Sequence, residues 1–197
     1  MTILTFALIA LWVVVMAQLA LTWALARQIG VLFERVSPVG AMISQSGPEI
    51  GSRVPALTLP NLNGRELVLG QSGGRAQLMF FLSTSCPICK ALLPALTSIR
   101  DDERRWLDVV LASDGREALH RRLIEDEKLQ GFAYVLSSEL GMSFKVAKLP
   151  FAVLIGPDGT VRAKGLVNSR EQLESLFAAS ETGLASVQAA ASLTVAA

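Results

Sequence analysis

Histidine and tyrosine occur once each in this 197-residue chain, cysteine only twice, and charged residues make up just 18% of it. A lone His120 and two cysteines cannot supply the four protein ligands of a structural zinc site, so no metal centre is expected, and His120 reads as a surface residue of a charged helix. With 18 basic and 17 acidic side chains the formal net charge is +1, and aromatics amount to 6%. Nucleic-acid binding calls for a basic face with aromatics for stacking, and this chain has neither in quantity. Low charge combined with 51% hydrophobic residues also excludes wholesale disorder, since there is ample apolar surface to offset the ordering entropy. There is no internal repeat, and the length allows one domain with an appendage.

Charge is absent altogether from Thr2 to Ala26. As a helix this stretch would run about 37 Å, enough to cross a hydrocarbon core of about 30 Å. A secretory signal peptide is the competing reading, with Ala24-Leu25-Ala26 as a cleavage pattern. The missing basic n-region and the excess length of the apolar run favour an uncleaved anchor. Arg27 and Arg35 follow the span, which by the positive-inside rule would hold that side in the cytoplasm, whereas the chemistry below favours the opposite side.

The expected organisation is an anchor at 1–27, a linker at 28–50 with its Ser/Gly/Pro-rich part from Ser37 to Ile50, a folded domain at 51–179, and a flexible tail at 180–197. Inside the domain, Leu57 to Leu59 and Glu66 to Leu69 flank Asn63-Gly64, a hairpin signal. Gln77 to Leu82 is a continuous apolar run suited to a strand buried on both faces. A helix from Cys89 to Asp101, a strand from Leu107 to Ala112 and a solvent-facing helix from Arg116 to Lys128 follow. Then come a strand at Ala133 to Leu136 and a short helix at Glu139 to Phe144. Strands at Phe151 to Ile155 and Val161 to Ala163 flank the turn Gly156-Pro157-Asp158-Gly159, and a helix from Arg170 to Ala179 presents Leu173, Leu176 and Phe177 on one face. Alternating strands and helices with a closing hairpin imply an α/β layer fold.

The two cysteines stand as Cys86-Pro87-Ile88-Cys89, where a buried strand runs into a helix. At a helix N-terminus, free N–H groups and the positive end of the dipole stabilise a Cys86 thiolate, which makes it the attacking sulfur. Cys89, one turn in, is placed to resolve a mixed disulfide. Pro87 suits the first helical turn, Pro94 is expected to kink the helix, and Lys90 and Lys148 are candidates to add positive potential.

The run LMFFLSTSCPICK, the preceding GSRVPALTLPNLNGRELVL, and Leu149-Pro150 leading into FAVLIGPDGTV together resemble the thioredoxin superfamily, in particular its membrane-anchored TlpA-like branch. That resemblance implies a thioredoxin fold behind a single N-terminal transmembrane helix, with Cys86 and Cys89 catalytic. It also implies a cis Leu149-Pro150 bond against the disulfide, a minority state for an X-Pro bond. Substrate backbone would pair beside Pro150, with Leu149, Pro87 and Ile88 contributing to its binding and apolar surface around Ile88 and Phe151 holding it.

The span, the linker, GPEIGSRVP, STSCPICK and VAKLPFAVLIGPDGTVRAKGLVNSREQLESL resemble more narrowly the MauD family. This implies a periplasmic, inner-membrane-anchored thiol-disulfide oxidoreductase that forms or isomerises disulfides in the methylamine dehydrogenase light chain. A MauE-like multispan membrane protein would reoxidise it, and no cofactor is expected.

The sequence departs from the general thioredoxin pattern at Ser85, where a Trp often precedes the first cysteine. It departs again at Phe80, where thioredoxins carry a buried acid. Without that acid a fast reductase is less well served than an oxidase or isomerase. A peroxiredoxin is disfavoured, because Met79 stands at that family's Pro position and its resolving cysteine is usually arranged otherwise. Two alternatives stay open: a TlpA-like reductase in cytochrome c maturation, and a non-enzymatic binding module or chaperone for the light chain.

Overall fold

A computed structural model describes residues 2–35, 46–64, 66–70 and 74–182. The chain divides into two compact units, Met1–Ser37 and Pro38–Ala197. The first is one helix, α1 (Thr2–Arg35), which runs past the boundary expected at residue 27. Its stretch Thr2–Trp23, 22 residues long, is apolar and long enough to cross a bilayer once. Large side chains such as Phe6, Leu11, Trp12 and Met16 all face outward. Two of its hydroxyls bond within the helix, Thr5 Oγ1 donating to the Thr2 carbonyl and Thr22 Oγ1 to that of Gln18, each at 2.8 Å. In lipid a hydroxyl without such a partner would be costly.

The second unit is built on a hairpin and a five-stranded sheet. The hairpin pairs β1 (Leu57–Pro60) with β2 (Glu66–Leu69), antiparallel. The sheet contains β3 (Ala76–Phe81), β4 (Leu107–Ser113), β5 (Ala133–Leu136), β6 (Phe151–Ile155) and β7 (Val161–Leu166), in the order β5-β4-β3-β6-β7. The β3-β4 and β4-β5 pairs are parallel, while β6 and β7 run antiparallel to their neighbours. Four helices complete it: α2 (Pro87–Asp102), α3 (Glu117–Asp126), α4 (Ser138–Ser143) and α5 (Arg170–Thr182). Each element expected within the domain is present. β7 runs three residues beyond the expected Ala163, as an edge strand alternating buried and partly exposed positions.

β3 is apolar on both faces because both are covered. Successive side chains point to opposite sides of a strand, so Leu78 and Phe80 enter one core cluster with α2, α3 and α5, and Met79 and Phe81 enter another with Val54, Leu69, Leu140 and Phe144. The hairpin is tied to β5 by side-chain amides. Asn61 Oδ1 accepts from the Tyr134 N–H at 2.9 Å, and Asn63 Nδ2 donates to the Phe132 carbonyl at 2.6 Å. Gly64, with φ at 82°, supplies the left-handed residue of the connection.

Three expectations require correction. α3 is not wholly solvent-facing: His120, Leu123 and Ile124, spaced three and four apart, form a buried stripe. His120, expected at the surface, is only 2% exposed, because its Nδ1 meets the Tyr134 hydroxyl at 2.8 Å and its Nε2 meets the Asp114 carbonyl at 2.9 Å. Phe151 is fully buried rather than part of an apolar surface. It lies so close under Gly47 that a Cβ there would stand 2.6 Å from its ring.

Residues 46–50, read as the end of a linker, are fastened to the domain. Lys164 Nζ donates to the carbonyls of Ser46 at 2.9 Å and Gly47 at 3.2 Å, and the Gly47 N–H donates to the Lys145 carbonyl. Most of the expected linker core and the tail from residue 183 lie outside the described residues.

Candidate redox site at the end of the central strand

β3 delivers the chain into a short loop and then into α2. Cys86 is the N-cap residue of that helix, with extended backbone (φ −87°, ψ 109°), and Pro87 follows at its first turn. Proline fits there because its missing N–H would have had no helical acceptor and its φ is already helical. A sulfur does what a cap oxygen usually does: Cys86 Sγ accepts the Cys89 N–H at 3.1 Å. No acidic residue occupies the first turn to oppose the helix dipole.

Cys86 and Cys89 are joined in a disulfide, with Cα atoms 5.3 Å apart. The two sulfurs sit in different surroundings. Cys86 is partly exposed, whereas Cys89 is 1% exposed and packed into the core with Leu92, Leu93 and Leu96. Phe80 is fully buried in the same cluster. The buried polar side chains among the described residues are Gln77, Ser113, His120 and Gln172, so no carboxylate is buried with the pair. Ser85 is exposed, and its hydroxyl meets that of Ser83 at 3.1 Å.

Sheet register brings the second part of the site to the same place. Phe81 pairs with Phe151, so Leu82 to Cys86 and Ala147 to Pro150 leave the β3-β6 ladder at one end. The Leu149-Pro150 peptide bond is cis. Pro150 is buried and its carbonyl accepts the Val167 N–H at 3.2 Å, whereas Leu149 is 40% exposed. Among the described residues, the backbone groups of Ala147, Lys148 and Leu149 have no hydrogen-bond partner. Pro87 and Ile88 are exposed as well. Apolar surface is therefore supplied by Ile88 and Leu149, not Phe151. Lys90 and Lys148 are exposed on the helix and the loop respectively.

Sequence reasoning missed two features at this end. One is the His120 to Tyr134 bond, whose only sequence signal is the three-and-four spacing of α3; burial pushes the Tyr134 hydroxyl above the ordinary phenol range. The other is a cavity of about 340 Å³ between the ends of β3 and β4, the start of α4 and the loop before Pro150.

A parallel-to-antiparallel five-stranded sheet, with a Cys-x-x-Cys disulfide opening the helix after β3 and a cis proline entering β6, the antiparallel neighbour of β3, defines a thioredoxin-like thiol-disulfide oxidoreductase. Comparison with solved structures agrees on the fold. The thioredoxin domain of a thiol-disulfide oxidoreductase from Bacteroides vulgatus superposes with a TM-score of 0.57 at 22% identity, covering 66% of this chain and 97% of that one. StoA from Bacillus subtilis gives a TM-score of 0.54 at 21% identity, covering 66% and 99%.

The methylamine utilization protein MauD of Paracoccus versutus is 42% identical over 188 residues, covering 95% of this chain and 94% of that protein. MauD of Paracoccus denitrificans is 43% identical over 182 residues, covering 91% and 90%. The chain belongs to the AhpC/TSA family, which matches residues 50–171, and more narrowly to the family of methylamine utilization proteins MauD.

Proposed function

We propose that this chain is a membrane-anchored disulfide donor or isomerase in methylamine utilization, with Cys86 as the sulfur attacked and Cys89 as its resolving partner. The observation that carries the reading is the asymmetry of the pair: Cys86 is open to solvent at the helix start, and Cys89 is sealed in the core. A substrate thiolate attacks Cys86 Sγ, a new S–S bond forms, and the Cys86–Cys89 bond breaks with its electron pair on Cys89, which takes up a proton. A second substrate thiolate then attacks the substrate sulfur of the mixed disulfide and releases Cys86 as thiolate. The substrate loses two electrons and gains a disulfide; the cysteine pair gains both electrons.

The helix N-terminus and the Cys89 N–H stabilise the departing Cys86 thiolate. Stabilising the reduced form in this way makes a disulfide more oxidising. The absence of a buried carboxylate beside Cys89 removes the proton acceptor that would speed release of a reduced substrate, which favours this direction over a TlpA-like reductase. Leu149, Pro150, Pro87 and Ile88 form the substrate contact: the unpaired backbone before Pro150 can take an extended segment as an added strand, with Ile88 and Leu149 against its side chains.

The MauD relatives carry methylamine utilization in their names, which supports the methylamine dehydrogenase light chain as substrate and a MauE-like membrane protein as the reoxidation partner. Disulfide donation belongs in an oxidising compartment, which supports a periplasmic domain on an inner-membrane anchor. Reporter fusions after Ala179 test this placement; activity only for a cytoplasmic reporter overturns it. The function itself is tested by mass-tag trapping of Cys86 and Cys89 thiols in cells with and without the membrane partner. Oxidised cysteines that become reduced on its removal are expected. A pair that stays reduced in both strains overturns donation in favour of a reductase or isomerase.

A further inference from the structure

We infer that α1 is a pairing helix: two copies of this chain associate in the membrane through one face of their anchors, with the two Gln18 amides hydrogen-bonded to one another. This is independent of the exchange chemistry and rests on α1 as a membrane span. Between Thr2 and Ala26 there is no charged residue, and Gln18 carries the one side-chain amide. That amide stands exposed on the helix and has no hydrogen-bond partner among the described residues. The hydroxyl one turn on does not serve it, because Thr22 Oγ1 donates to the Gln18 carbonyl at 2.8 Å. Nor is water close. Arg27, the first charged residue after the span, is nine residues on, about 13 Å along the helix. Helical side chains lean toward the N-terminus, which turns the Gln18 amide away from that nearer end and deeper into the hydrocarbon. An amide left without a partner there is costly, so it is met by a polar group that arrives with another helix.

The span is apolar all round, so hydropathy selects no face, but the amide does. Intervals of three and four residues through Gln18 give the stripe Leu4, Ala7, Leu11, Val14, Gln18 and Leu21, the pattern that keeps one seam facing a parallel partner helix. All six are exposed. Ala7 and Val14 are its smaller members and let the backbones approach. The occupant follows from the amide as well. Copies of one chain insert in the same direction, so parallel pairing in register sets both Gln18 residues at one depth. A carboxamide is its own complement, donating from nitrogen and accepting at oxygen, and a twofold axis therefore satisfies both copies at once. A different protein would need a polar group of its own at that depth and on that stripe, which a second copy supplies by symmetry. Pairing brings two Cys86–Cys89 disulfides to one patch of membrane, so that a substrate held by one meets the other at raised effective concentration.

The test uses the full chain in phosphatidylcholine vesicles, with donor or acceptor fluorophores at the C-terminus, and reads energy transfer as added lipid dilutes the protein. Transfer that falls with dilution is expected. Gln18→Leu, which keeps a good helix former, should weaken pairing about tenfold, the factor that hydrogen bonds between membrane helices support. Gln18→Asn keeps a self-complementary amide and should retain most of it. A second measurement places the face. In a Cys86→Ser, Cys89→Ser background, oxidation of membranes should cross-link Leu11→Cys into a dimer but not Ile9→Cys, which lies on the side of the helix opposite Gln18. No transfer in the wild type overturns the inference, as does the same lipid dependence for wild type and Gln18→Leu, or equal cross-linking at the two positions. Cross-linking of Leu11→Cys to a species whose mass is not that of two copies gives the face to a different protein and overturns it too. Recovery of the chain in the soluble fraction overturns the anchor itself, and none of these outcomes bears on the exchange reading.

Discussion

Where β3 and β4 begin, several polar groups are engaged with other parts of the domain. Buried Gln77 donates from Nε2 to the Val68 carbonyl and accepts the Gly70 N–H on Oε1, each at 3.0 Å, clasping the hairpin to the sheet. Arg75 pairs with Asp108 at 2.7 Å, and the Val54 N–H bonds to the Gly159 carbonyl. Where β3 and β4 end, three successive residues leave their backbone unpaired, Ile88 and Leu149 stand exposed, and a cavity opens beside them. The same strands thus join an end clasped by its own polar contacts, the closed end, to an end that leaves backbone unpaired, the open end. An incomplete end is what a protein needs if it is to take up another chain, because backbone groups and apolar surface left to water there can be paired and covered by a partner.

The sharpest way to break this comparison is at the open end. Cys86→Ser should abolish thiol-disulfide exchange, whereas Cys89→Ala should accumulate mixed disulfides through Cys86, visible as higher-mass species on non-reducing gels. Wild-type exchange by both variants would remove the cysteines from the chemistry and favour the binding-module reading. Neither change touches the closed end, so the fold should remain.

The converse experiment acts on the closed end alone. Gln77→Ala strands the Val68 carbonyl and the Gly70 N–H without their partner and leaves a cavity under the hairpin. Unsatisfied buried groups cost about 1–3 kcal/mol, and a total loss of about 3 kcal/mol is expected, read from denaturant unfolding. Exchange per folded molecule should be unchanged. A large fall in exchange with stability preserved would mean that the ends are not independent.

Between these two lies the polar bond beneath the open end. His120 links Tyr134 of β5 to the Asp114 carbonyl just after β4, and Asp114 lies at the cavity mouth. Tyr134→Phe leaves a buried imidazole nitrogen unpartnered and should cost about 1–2 kcal/mol. Equal stability of wild type and variant would show that the bond adds nothing to the open end's support.

The two ends also differ in how far the sequence discloses them. The hairpin around Asn63-Gly64, the doubly buried β3 and the cysteines at the strand-to-helix junction follow from local signals: turn chemistry, an unbroken apolar run, and spacing. What escapes local reading depends on distant partners. His120 looks like a surface residue of a charged helix until Tyr134 is brought to it, and Phe151 looks available until Gly47 closes over it, held by Lys164. The cavity has no sequence signal at all, since its walls come from two strand ends, a helix start and a loop. Cysteine spacing locates the chemistry, but what surrounds it emerges only from register.

The smallest expected effect belongs to the turn between β6 and β7, at the closed end. Asp158 is exposed, and its carboxyl is held below the ordinary carboxylate range. The Thr160 hydroxyl, donating at 2.7 Å, is the main cause, followed by the Thr160 N–H at 3.1 Å, with Arg162 adding an opposite charge at 2.8 Å. A carboxyl whose folded-state value is depressed contributes stability that is complete above its unfolded value, about 3.9, and is lost as pH falls through the folded one. Asp158→Asn keeps an oxygen for the Thr160 N–H but loses the charge. The urea midpoint of the wild type should therefore exceed that of the variant slightly at neutral pH, and the two should converge in acid. A midpoint difference that stays constant from neutral pH down through the carboxylate range would show that Asp158 acts through its shape alone, and that charge at the closed end is incidental to its closure.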